Sequence, residues 1–402
     1  MNGTEKKKIS AVICEYNPFH NGHEFMLRKM REDGATHIVA CMSGNFTQRG
    51  EAAVFDKYTR AGAALSCGAD LVMELPVSFA CSWAERFAFG GVYLLDALGC
   101  VDEIAFGSEC GDISKLKTAA CAVNDDSMKT VLKQYLDKGM TFAAARQKAV
   151  EKIYGQELSE VLSSPNNILG IEYIKALQQI GSKIQPHTIL RTGTAHDSTK
   201  INGTMTSAGH IRQMITEKKD YTAYIPETAA KLYSETENLP PKEGRMAKLE
   251  GAMLYRLRTM NKKEFAELPE VGEGLENRIY EAVRKSTNLN ELIDYIKTKR
   301  YTHARIRRII MYASLGFKKN NLQPLPQYMK VLGLNDKGRE ILKAAKNTAK
   351  LSLVMKYADV HSLSDSAKEM YDFESRCDDV YALSGEKTDI CGRNCTSPII
   401  IL

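Results

Sequence analysis

Two histidines, His20 and His23, stand three residues apart and enclose Asn21 and Gly22. Imidazole rings at this spacing can donate hydrogen bonds to one anion, and the glycine between them lets that anion approach the backbone. The pair could also bind zinc or lie on the surface at a helix start. However, no further ligands stand nearby at zinc spacing, and the sequence has no His-Glu-x-x-His motif. The pair therefore predicts a phosphate site.

The chain around the histidines predicts the elements that would position them. Residues 9–14 form a short apolar run rich in β-branched side chains, which predicts the first buried strand of a parallel sheet. Asn17 and Pro18 predict a turn, and residues 24–30 have helical spacing. A strand that turns directly into a helix points free N–H groups and the positive end of the helix dipole at a ligand above the sheet. This setting also favours phosphate.

Further apolar runs alternate with helical segments along the first half of the chain. They predict strands at residues 36–42, 70–75, 101–106 and 183–190. Such alternation at short spacing is typical of a doubly wound parallel α/β sheet, whose ligands bind beyond the carboxyl ends of the strands. The sequence therefore predicts a doubly wound, Rossmann-like α/β domain over residues 1–235.

Polar loops follow several of these strands and would share one rim of the sheet. Residues 43–51 and 107–109 are two such loops, and Arg191 follows the fifth strand, where it is either a phosphate ligand or a surface charge. Residues 112–162 are charged and helical by pattern, and we expect them to form a helical excursion over that rim. Residues 163–170 would then return to the site.

A second phosphate motif is predicted at residues 205–212. Its hydroxyl side chains stand at a predicted helix start, and Arg212 follows one turn later. Backbone N–H groups at such a helix start can bind phosphate, while Arg212 can neutralise charge on a departing pyrophosphate. Ser207 is the expected helix cap of this motif.

Composition limits the class of protein. The chain has 402 residues, 44% apolar content and no apolar run near the roughly 20 residues needed to span a bilayer. We therefore expect a cytoplasmic protein with no membrane partner and reduced cysteines. Near the C-terminus, Cys391 and Cys395 form a weak candidate for a metal or redox site, and a disordered tail is the favoured interpretation there.

The second half of the chain is helical by pattern beyond a boundary near residue 236, and no strand is predicted there. Residues 281–350 hold 16 lysines and arginines against 5 acidic residues. Arg305 and Arg308 would share one helix face, and Tyr301 and Tyr312 could stack on bases. Residues 330–352 predict a second basic helix. A solvated surface is the simpler interpretation of any charged run, but tyrosines beside so many cations favour nucleic acid.

His-x-Gly-His after a first strand resembles the motif of the HIGH-type nucleotidylyltransferases, which attack the α-phosphate of ATP. Six longer segments stand in the order found in bacterial tRNA(Met) cytidine acetate ligases. They are residues 15–23, 48–51, 106–109, 164–170, 207–212 and 299–302. The resemblance reaches to about residue 355. Gly209 departs from the pattern, since a hydroxyl residue usually stands at this position in the second nucleotidylyltransferase motif.

The resemblance implies ATP-dependent N4-acetylation of the wobble cytidine of elongator tRNA(Met), with free acetate activated as acetyl-adenylate. The resemblance also implies catalytic roles for His20, His23, Ser207 and Arg212. Residues expected to bind ATP are Ile13, Cys14, Glu15, Tyr16, Asn17, Pro18, Phe19, His20, Asn21, Gly22, His23, Gly107, Asn166, Asn167, Arg191 and Thr192. Residues expected to bind acetate or tRNA are Gln48, Arg49, Lys299, Arg300, Arg305 and Arg308.

In this interpretation, residues 236–402 form an all-α, basic tRNA-binding domain with a flexible tail. Mg²⁺ would accompany the triphosphate without a dedicated protein site. Two other functions stay open. The chain could transfer a nucleotide to a small phosphorylated metabolite, with the helical half serving dimerisation, or it could be a non-catalytic RNA-binding protein. The sequence does not predict the oligomeric state.

Overall fold

The computed structural model describes residues 7–191, 203–272 and 274–402 of the chain. Strands and helices alternate through the first half, as the sequence predicts. The strands there are β1 (Ile9–Cys14), β2 (His37–Ser43), β3 (Leu71–Leu75), β4 (Glu103–Ser108) and β5 (Gln185–Leu190). The helices that connect β1 to β4 are α1 (Asn21–Glu32), α2 (Lys57–Ser66), α3 (Val77–Ala80) and α4 (Ala84–Leu98).

The predicted helical excursion lies between β4 and β5. It consists of α5 (Ile113–Asn124), α6 (Asp126–Asp137), α7 (Phe142–Tyr154) and α8 (Gln156–Val161). The chain then returns to the sheet through α9 (Pro165–Ile180), which packs against α4. Proline at the first position of α9 and left-handed Gly181 after its end are typical helix boundaries.

Strands β1 to β5 lie parallel in the order β5-β4-β1-β2-β3. Helices cover both faces of this sheet, so Ile13 and Val39 pack in one core and Val12 and Ala40 in another. Burial on both faces explains the continuous apolar runs of the sequence. The strand order reverses between β1 and β4, and a crevice at such a reversal is where doubly wound sheets bind ligands. The predicted fold class is confirmed.

A helical region follows the five parallel strands. Its first helices are α10 (Ala208–Thr216) and α11 (Glu227–Glu235), separated by a 3-10 turn (Thr222–Tyr224). After these come α12 (Arg245–Thr259), α13 (Lys262–Ala266), α14 (Leu275–Lys285), α15 (Leu289–Ile296), α16 (His303–Leu315) and a second 3-10 turn (Lys319–Asn321). Helices α12 to α16 share a separate apolar core, which includes Leu249, Leu292 and Ile306. Among the described residues, no helix is both long and apolar enough to span a lipid bilayer.

The prediction that no strand follows residue 236 is wrong. The last part of the chain rejoins the sheet through β6 (Met329–Leu334), β7 (Leu353–Val354) and β8 (Ile400–Ile401), linked by α17 (Asp336–Ala345), α18 (Tyr357–Val360), α19 (Asp365–Ala382) and α20 (Arg393–Thr396). Strand β6 lies antiparallel to β3, and β7 and β8 pair with different parts of β6. The predicted second basic helix therefore begins only at α17. The tail is folded, and Cys377 is buried within α19.

Charged side chains lie buried where α2, β3 and β6 meet the C-terminal helices, and we call them the buried charge cluster. Lys57 donates to both carboxylate oxygens of Glu74 at 2.8 Å and to Asn394 Oδ1 at 2.7 Å. Its Nζ lies 2.5 Å from Asp378 Oδ2, and Lys330 on β6 also pairs with Glu74. Burial disfavours the charge on Lys57, but Asp378 and Glu74 outweigh burial and raise the pKa of its ammonium group. The cluster therefore allows Lys330, a charged residue, to lie on the buried strand β6.

Glu374 on α19 lies next to this cluster. Its burial, reinforced by the charge of Glu74, raises the pKa of Glu374 from an ordinary 4.5 to about 8. Tyr328 donates its hydroxyl to Glu374 Oε2 at 2.6 Å. A carboxyl group whose pKa is raised by folding contributes stability that is complete below its unfolded pKa. That contribution is lost as the pH rises through the folded pKa.

We expect Glu374→Gln to remove this part of the pH dependence. The variant and the unaltered protein should melt at similar temperatures near pH 5, since both side chains are then neutral. At about pH 9 the variant should melt at a higher temperature, because it never places a charge at this position. Thermal melts followed by circular dichroism across this range measure the difference. Glu369→Gln, an exposed change on the same helix, is the control, and an equal pH profile for both variants contradicts the prediction.

Candidate active site

The turn between β1 and α1 is held by hydrogen bonds to distant segments. Asn17 Oδ1 accepts from Val54 N at 2.7 Å, and Asn17 O accepts from Arg212 Nη1 at 2.8 Å. Phe19 N donates to the Tyr233 hydroxyl at 2.9 Å, and the ring of Phe19 is fully buried. These contacts fix the backbone that presents the two histidines.

The imidazoles of His20 and His23 stack at the start of α1, with ring centroids 3.7 Å apart. His20 Nδ1 accepts from Gly22 N at 3.0 Å, and His23 Nδ1 accepts from His20 N at 3.2 Å. An imidazole whose Nδ1 accepts a hydrogen bond carries its proton on Nε2 when it is neutral, so each ring donates through Nε2. A Cβ atom at Gly22 would lie 2.9 Å from His20 Cε1, so a side chain there would displace the ring.

The start of α10 contributes the second set of polar groups. Ser207 caps this helix, since its Oγ accepts from His210 N at 3.1 Å. Arg212 lies one turn later and contacts the β1–α1 turn through Asn17 O. At Gly209 the nearest atoms to an added Cβ lie 3.7 Å away or more, which is ordinary contact. Packing therefore gives no reason for glycine at this position.

A cavity of about 290 Å³ opens at the carboxyl ends of β1 and β4, and both helix starts line it. Its polar lining includes His20, His23, Ser207 and Arg212, and its apolar lining includes Phe87, Phe106 and Tyr173. The ring centroids of Phe106 and Tyr173 lie 5.6 Å apart. Cavities with an apolar wall and a few convergent polar groups are the usual form of ligand sites. Two helix starts in this lining carry hydrogen-bond donors suited to phosphate. A nucleotide, which combines phosphates with an aromatic base, is therefore the ligand that fits the cavity.

Cys14 and Tyr16 line the cavity as uncharged groups. Burial, with a further contribution from Cys41, raises the pKa of the Cys14 thiol well above its ordinary value. Burial and the neighbouring Cys14 likewise raise the pKa of Tyr16. Neither side chain is therefore an effective nucleophile or base at neutral pH. Cys14 and Tyr16 therefore contribute neutral polar groups to the cavity wall.

The structure brings most of the predicted site residues together. Those that line the cavity are Ile13, Cys14, Glu15, Tyr16, Asn17, His20, Gly22, His23, Gln48, Arg49, Gly107, Asn166, Arg191, Ser207 and Arg212. Their individual contacts with ATP or acetate stay predictions. Thr192 lies outside the described residues.

Four residues predicted to bind ATP do not line the cavity, and they are Pro18, Phe19, Asn21 and Asn167. Asn167 is buried, and its Oδ1 accepts from Glu109 N at 2.9 Å, so it shapes the loop after β4. Asn21 Nδ2 donates to Thr204 O at 2.9 Å and thereby anchors the segment before α10. Asn167 and Asn21 therefore support the site, and the predicted contacts of all four residues with ATP stay predictions.

Sequence reasoning missed the apolar wall of the cavity. Phe87 and Tyr173 lie on α4 and α9, where apolar residues at helical spacing are typical of a protein core. Phe106 lies on β4 and also has the pattern of a core residue. Their position in the sequence could have identified Phe106 and Tyr173, because β4 and α9 both border the rim of the sheet where the ligand site is predicted.

The basic stretch predicted to bind RNA is exposed only in part. Lys299 and Arg300 lie on the surface just before α16. Arg308 is buried, and its Nε and Nη2 donate to the two carboxylate oxygens of Glu270 at 2.6 and 2.7 Å. Arg305 Nη2 donates to Glu270 O at 2.6 Å. The prediction that Arg308 faces RNA is therefore corrected, because its guanidinium is buried against Glu270. The predicted RNA contact of Arg305, which is half-buried, stays a prediction.

The aromatic part of the prediction also needs correction. Tyr301 and Tyr312 are 8% and 1% exposed, so neither ring is accessible to a base. Two other tyrosines of the helical region, Tyr255 on α12 and Tyr295 on α15, are 72% and 49% exposed. These are the better candidates for contact with a nucleic acid base.

The described residues contain no group of three or more His, Cys, Asp or Glu side chains arranged as metal ligands. Cys391 is exposed and Cys395 is half-buried, and both are free cysteines.

Comparison with known proteins places these features in a family context. The model of the HIGH Nucleotidyl Transferase family matches residues 7–393. The chain is 39% identical to the tRNA(Met) cytidine acetate ligase of Thermoanaerobacter sp. (strain X514), over 98% of this chain and 100% of that protein. It is 41% identical to the ligase of the same name from Caldanaerobacter subterraneus subsp. tengcongensis, over 98% and 99%.

Solved structures of TmcAL from Thermotoga maritima are also similar, at 33% identity over 98% of this chain and 99% of that one. The TM-score is 0.92 for the apo crystal form. It is 0.89 for the form bound with alpha-thio ATP.

Proposed function

The chain belongs to the HIGH nucleotidyl transferase family and, within it, to the tRNA(Met) cytidine acetate ligases, and from that premise we propose its reaction. It uses ATP and free acetate to acetylate N4 of the wobble cytidine of elongator tRNA(Met). The observation that carries the proposal is the cavity between the starts of α1 and α10, where paired imidazoles and Arg212 line the same space. ATP, acetate and tRNA are all available in the cytoplasm, where we propose that the enzyme acts.

The first step is activation of acetate. Acetate is already ionised at neutral pH, so its attack on the α-phosphorus of ATP needs no general base. One carboxylate oxygen forms a bond to phosphorus, and the bond to the pyrophosphate oxygen breaks. His20 and His23 donate to the α- and β-phosphates through Nε2, while Arg212 neutralises the charge that develops on pyrophosphate. Ser207 keeps the start of α10 in the orientation that this requires.

ATP normally binds as its complex with Mg²⁺. This ion would reduce the negative charge on the phosphates that acetate approaches. We propose that phosphate oxygens and water hold most of its coordination positions. The base and ribose would lie toward the aromatic wall, between Gly107 and Tyr173. Gln48 and Arg49 are the proposed acetate residues, because both line the same cavity from the loop after β2.

The second step transfers the acetyl group to RNA. The N4 amine of cytidine attacks the acetyl carbonyl, and the C–N bond forms. The C–O bond to phosphate breaks, AMP leaves with its electron pair, and the amine releases one proton to solvent. We propose that helices α12 to α16 hold the tRNA and present its wobble base to the cavity. The exposed cations Lys299 and Arg300 would contact phosphates, which position the RNA without reading its sequence.

Mass spectrometry of nucleosides tests the proposed reaction directly. Elongator tRNA(Met) is incubated with the protein, ATP and isotopically labelled acetate, then digested to nucleosides. We expect labelled N4-acetylcytidine, and no such product when ATP or acetate is left out. Unlabelled nucleosides, together with a dinucleotide-like product from a small phosphorylated metabolite, would support the competing nucleotidyl transfer instead.

Charge reversal at Lys299 and Arg300 should separate tRNA binding from ATP chemistry. For Lys299→Glu with Arg300→Glu we expect tRNA affinity about tenfold or more weaker at low salt. The slope of log affinity against log salt should also become shallower by about 1.5, because roughly two phosphate contacts are lost. Filter binding across a salt series measures both quantities.

The control for this variant is Lys129→Glu with Lys133→Glu on α6, which makes the same charge change at exposed positions outside the helical region. Acetate-dependent ATP–pyrophosphate exchange without tRNA should be equal in both double variants. An unchanged salt slope in the Lys299 and Arg300 variant would remove these residues from the RNA surface.

A further inference from the structure

The loop at residues 47–51 joins the proposed acetate residues to the helical region. Thr47, Gln48, Arg49 and Glu51 line the cavity. The loop is a tight turn, in which Thr47 N donates to Glu51 O and Gly50 N donates to Thr47 O, each at 3.0 Å. Because it connects β2 with α2, its position determines where Gln48 and Arg49 stand relative to a bound nucleotide.

A carboxylate on one side and two guanidinium groups on the other hold this loop. On the sheet side, Glu15 Oε1 accepts from Gln48 N at 2.8 Å. On the helical side, Arg308 Nη1 reaches Gln48 O at 3.4 Å, and Arg307 Nη1 donates to Glu51 Oε1 at 3.0 Å. The loop is therefore fixed between the first strand and α16.

Backbone contact reinforces the link to α16. Gly50 has a positive φ of 74°, and a Cβ atom there would lie 2.5 Å from Arg308 N and 2.7 Å from Arg307 C. Only glycine allows the loop to lie this close to the helix. A shift of α16 would therefore displace the loop with it.

Glu270 determines the position of Arg308. Its carboxylate accepts both bonds from the Arg308 guanidinium and a third from the Tyr312 hydroxyl at 3.0 Å. Its carbonyl oxygen accepts from Arg305 Nη2 at 2.6 Å. Glu270 itself has a φ of 61°, a left-handed backbone conformation that is uncommon and costs energy for a residue with a side chain. Such a conformation persists only where the surrounding structure stabilises it. Here the hydrogen bonds from Arg305, Arg308 and Tyr312 stabilise it.

We propose that Glu270 and Arg308 are positioning residues for acetate, which they serve by holding the residue 47–51 loop in the cavity wall. The inference rests on the proposed function. His20, His23 and Arg212 line the cavity, whereas Glu270 and Arg308 lie behind the residue 47–51 loop. Loss of the Glu270–Arg308 pair should therefore weaken the use of acetate and leave the use of ATP nearly unchanged.

Steady-state ATP–pyrophosphate exchange at varied acetate and ATP concentrations tests this. Arg308→Lys keeps the charge but cannot make two parallel bonds to Glu270 and also reach Gln48 O. We expect its KM for acetate to rise about tenfold or more, because a displacement of about 1 Å in a positioning group has effects of this size. Its KM for ATP should stay within about twofold of the original value.

A lysine at this buried site could lower the yield of folded protein, so a second variant is needed. Glu270→Gln with Arg308→Gln removes both charges at once and leaves no buried ion unpaired. It should raise the KM for acetate in the same way. The matched control is Arg146→Lys, which alters another buried arginine–carboxylate pair, with Glu172, in the helical excursion. That variant should keep both KM values.

Two outcomes would overturn the inference while the proposed function stands. One is an unchanged KM for acetate in a variant whose melting temperature shows that it is folded. The other is a parallel rise in the KM for ATP, which would mean general damage to the cavity. If the unaltered protein shows no acetate-dependent exchange at all, the proposed function fails, and this inference fails with it.

Discussion

Replacing His23 with alanine will reduce acetate-dependent ATP–pyrophosphate exchange by about 10²–10³-fold, the usual effect of removing one donor that stabilises transition-state charge. The ring of His23 lines the cavity, and its Nδ1 is already occupied by His20 N. An imidazole that accepts through Nδ1 carries its proton on Nε2 when it is neutral, so we expect this ring to donate to a phosphate oxygen through Nε2. Loss of this ring also removes the stacking partner of His20, so two donors are affected by one substitution.

The affinity for tRNA should change little in this variant, because His23 lies on α1 and the proposed RNA surface lies on the helical region. Exchange of labelled pyrophosphate into ATP measures the first quantity, and filter binding measures the second. His187→Ala is the matched control, since it removes an imidazole on β5 that pairs with Asp33, the residue after α1. Its exchange rate should equal that of the unaltered protein. Normal exchange in His23→Ala would remove this histidine from the mechanism.

Lys57→Met should destabilise the folded protein by about 3–5 kcal/mol, the usual cost of removing one partner from a buried ion pair. Lys57 is almost fully buried and contacts Glu74, Asp378 and Asn394. Methionine fills a similar volume but leaves the two carboxylates without their nearest cation. Lys330 would then be the remaining cation of the buried charge cluster in contact with Glu74.

Chemical denaturation followed by circular dichroism measures this effect. The control is Lys115→Met, which breaks an exposed pair with Glu157 and should leave the denaturation midpoint almost unchanged. A midpoint for Lys57→Met equal to that of the control would show that the cluster does not depend on this lysine. Because Lys57 does not line the active-site cavity, residual activity should follow the folded fraction.

Strands β1 to β4 could be predicted because helices cover both faces of the sheet, so each of them contains a nearly continuous apolar run. Strand β6 could not be predicted in this way. Lys330 interrupts its apolar run, and the strand comes after a long basic segment of the chain. The partner that neutralises this lysine is Glu74, which lies on β3, far away in the sequence. Strand β8 is only two residues long, and no local pattern distinguishes it from a loop.

The same limit applies to the functional site. His20, His23, Ser207 and Arg212 could be found because each belongs to a local motif at a helix start. Arg308 and Tyr312 were misjudged because a positive charge or a ring does not reveal exposure. Both bind Glu270, which precedes them by 38 and 42 residues, so their burial follows from packing that sequence spacing does not show.

The antiparallel position of β6 beside β3 has a consequence for dividing the protein. The helical segment from α12 to α16 lies between two stretches of chain that share one sheet, so it resembles an inserted arm more than a terminal module. A fragment that stops after α11 would leave β3 as an open edge with unpaired backbone groups, and such edges are templates for aggregation. A fragment that keeps this sheet closed must therefore contain both the first half of the chain and the segment from β6 onward.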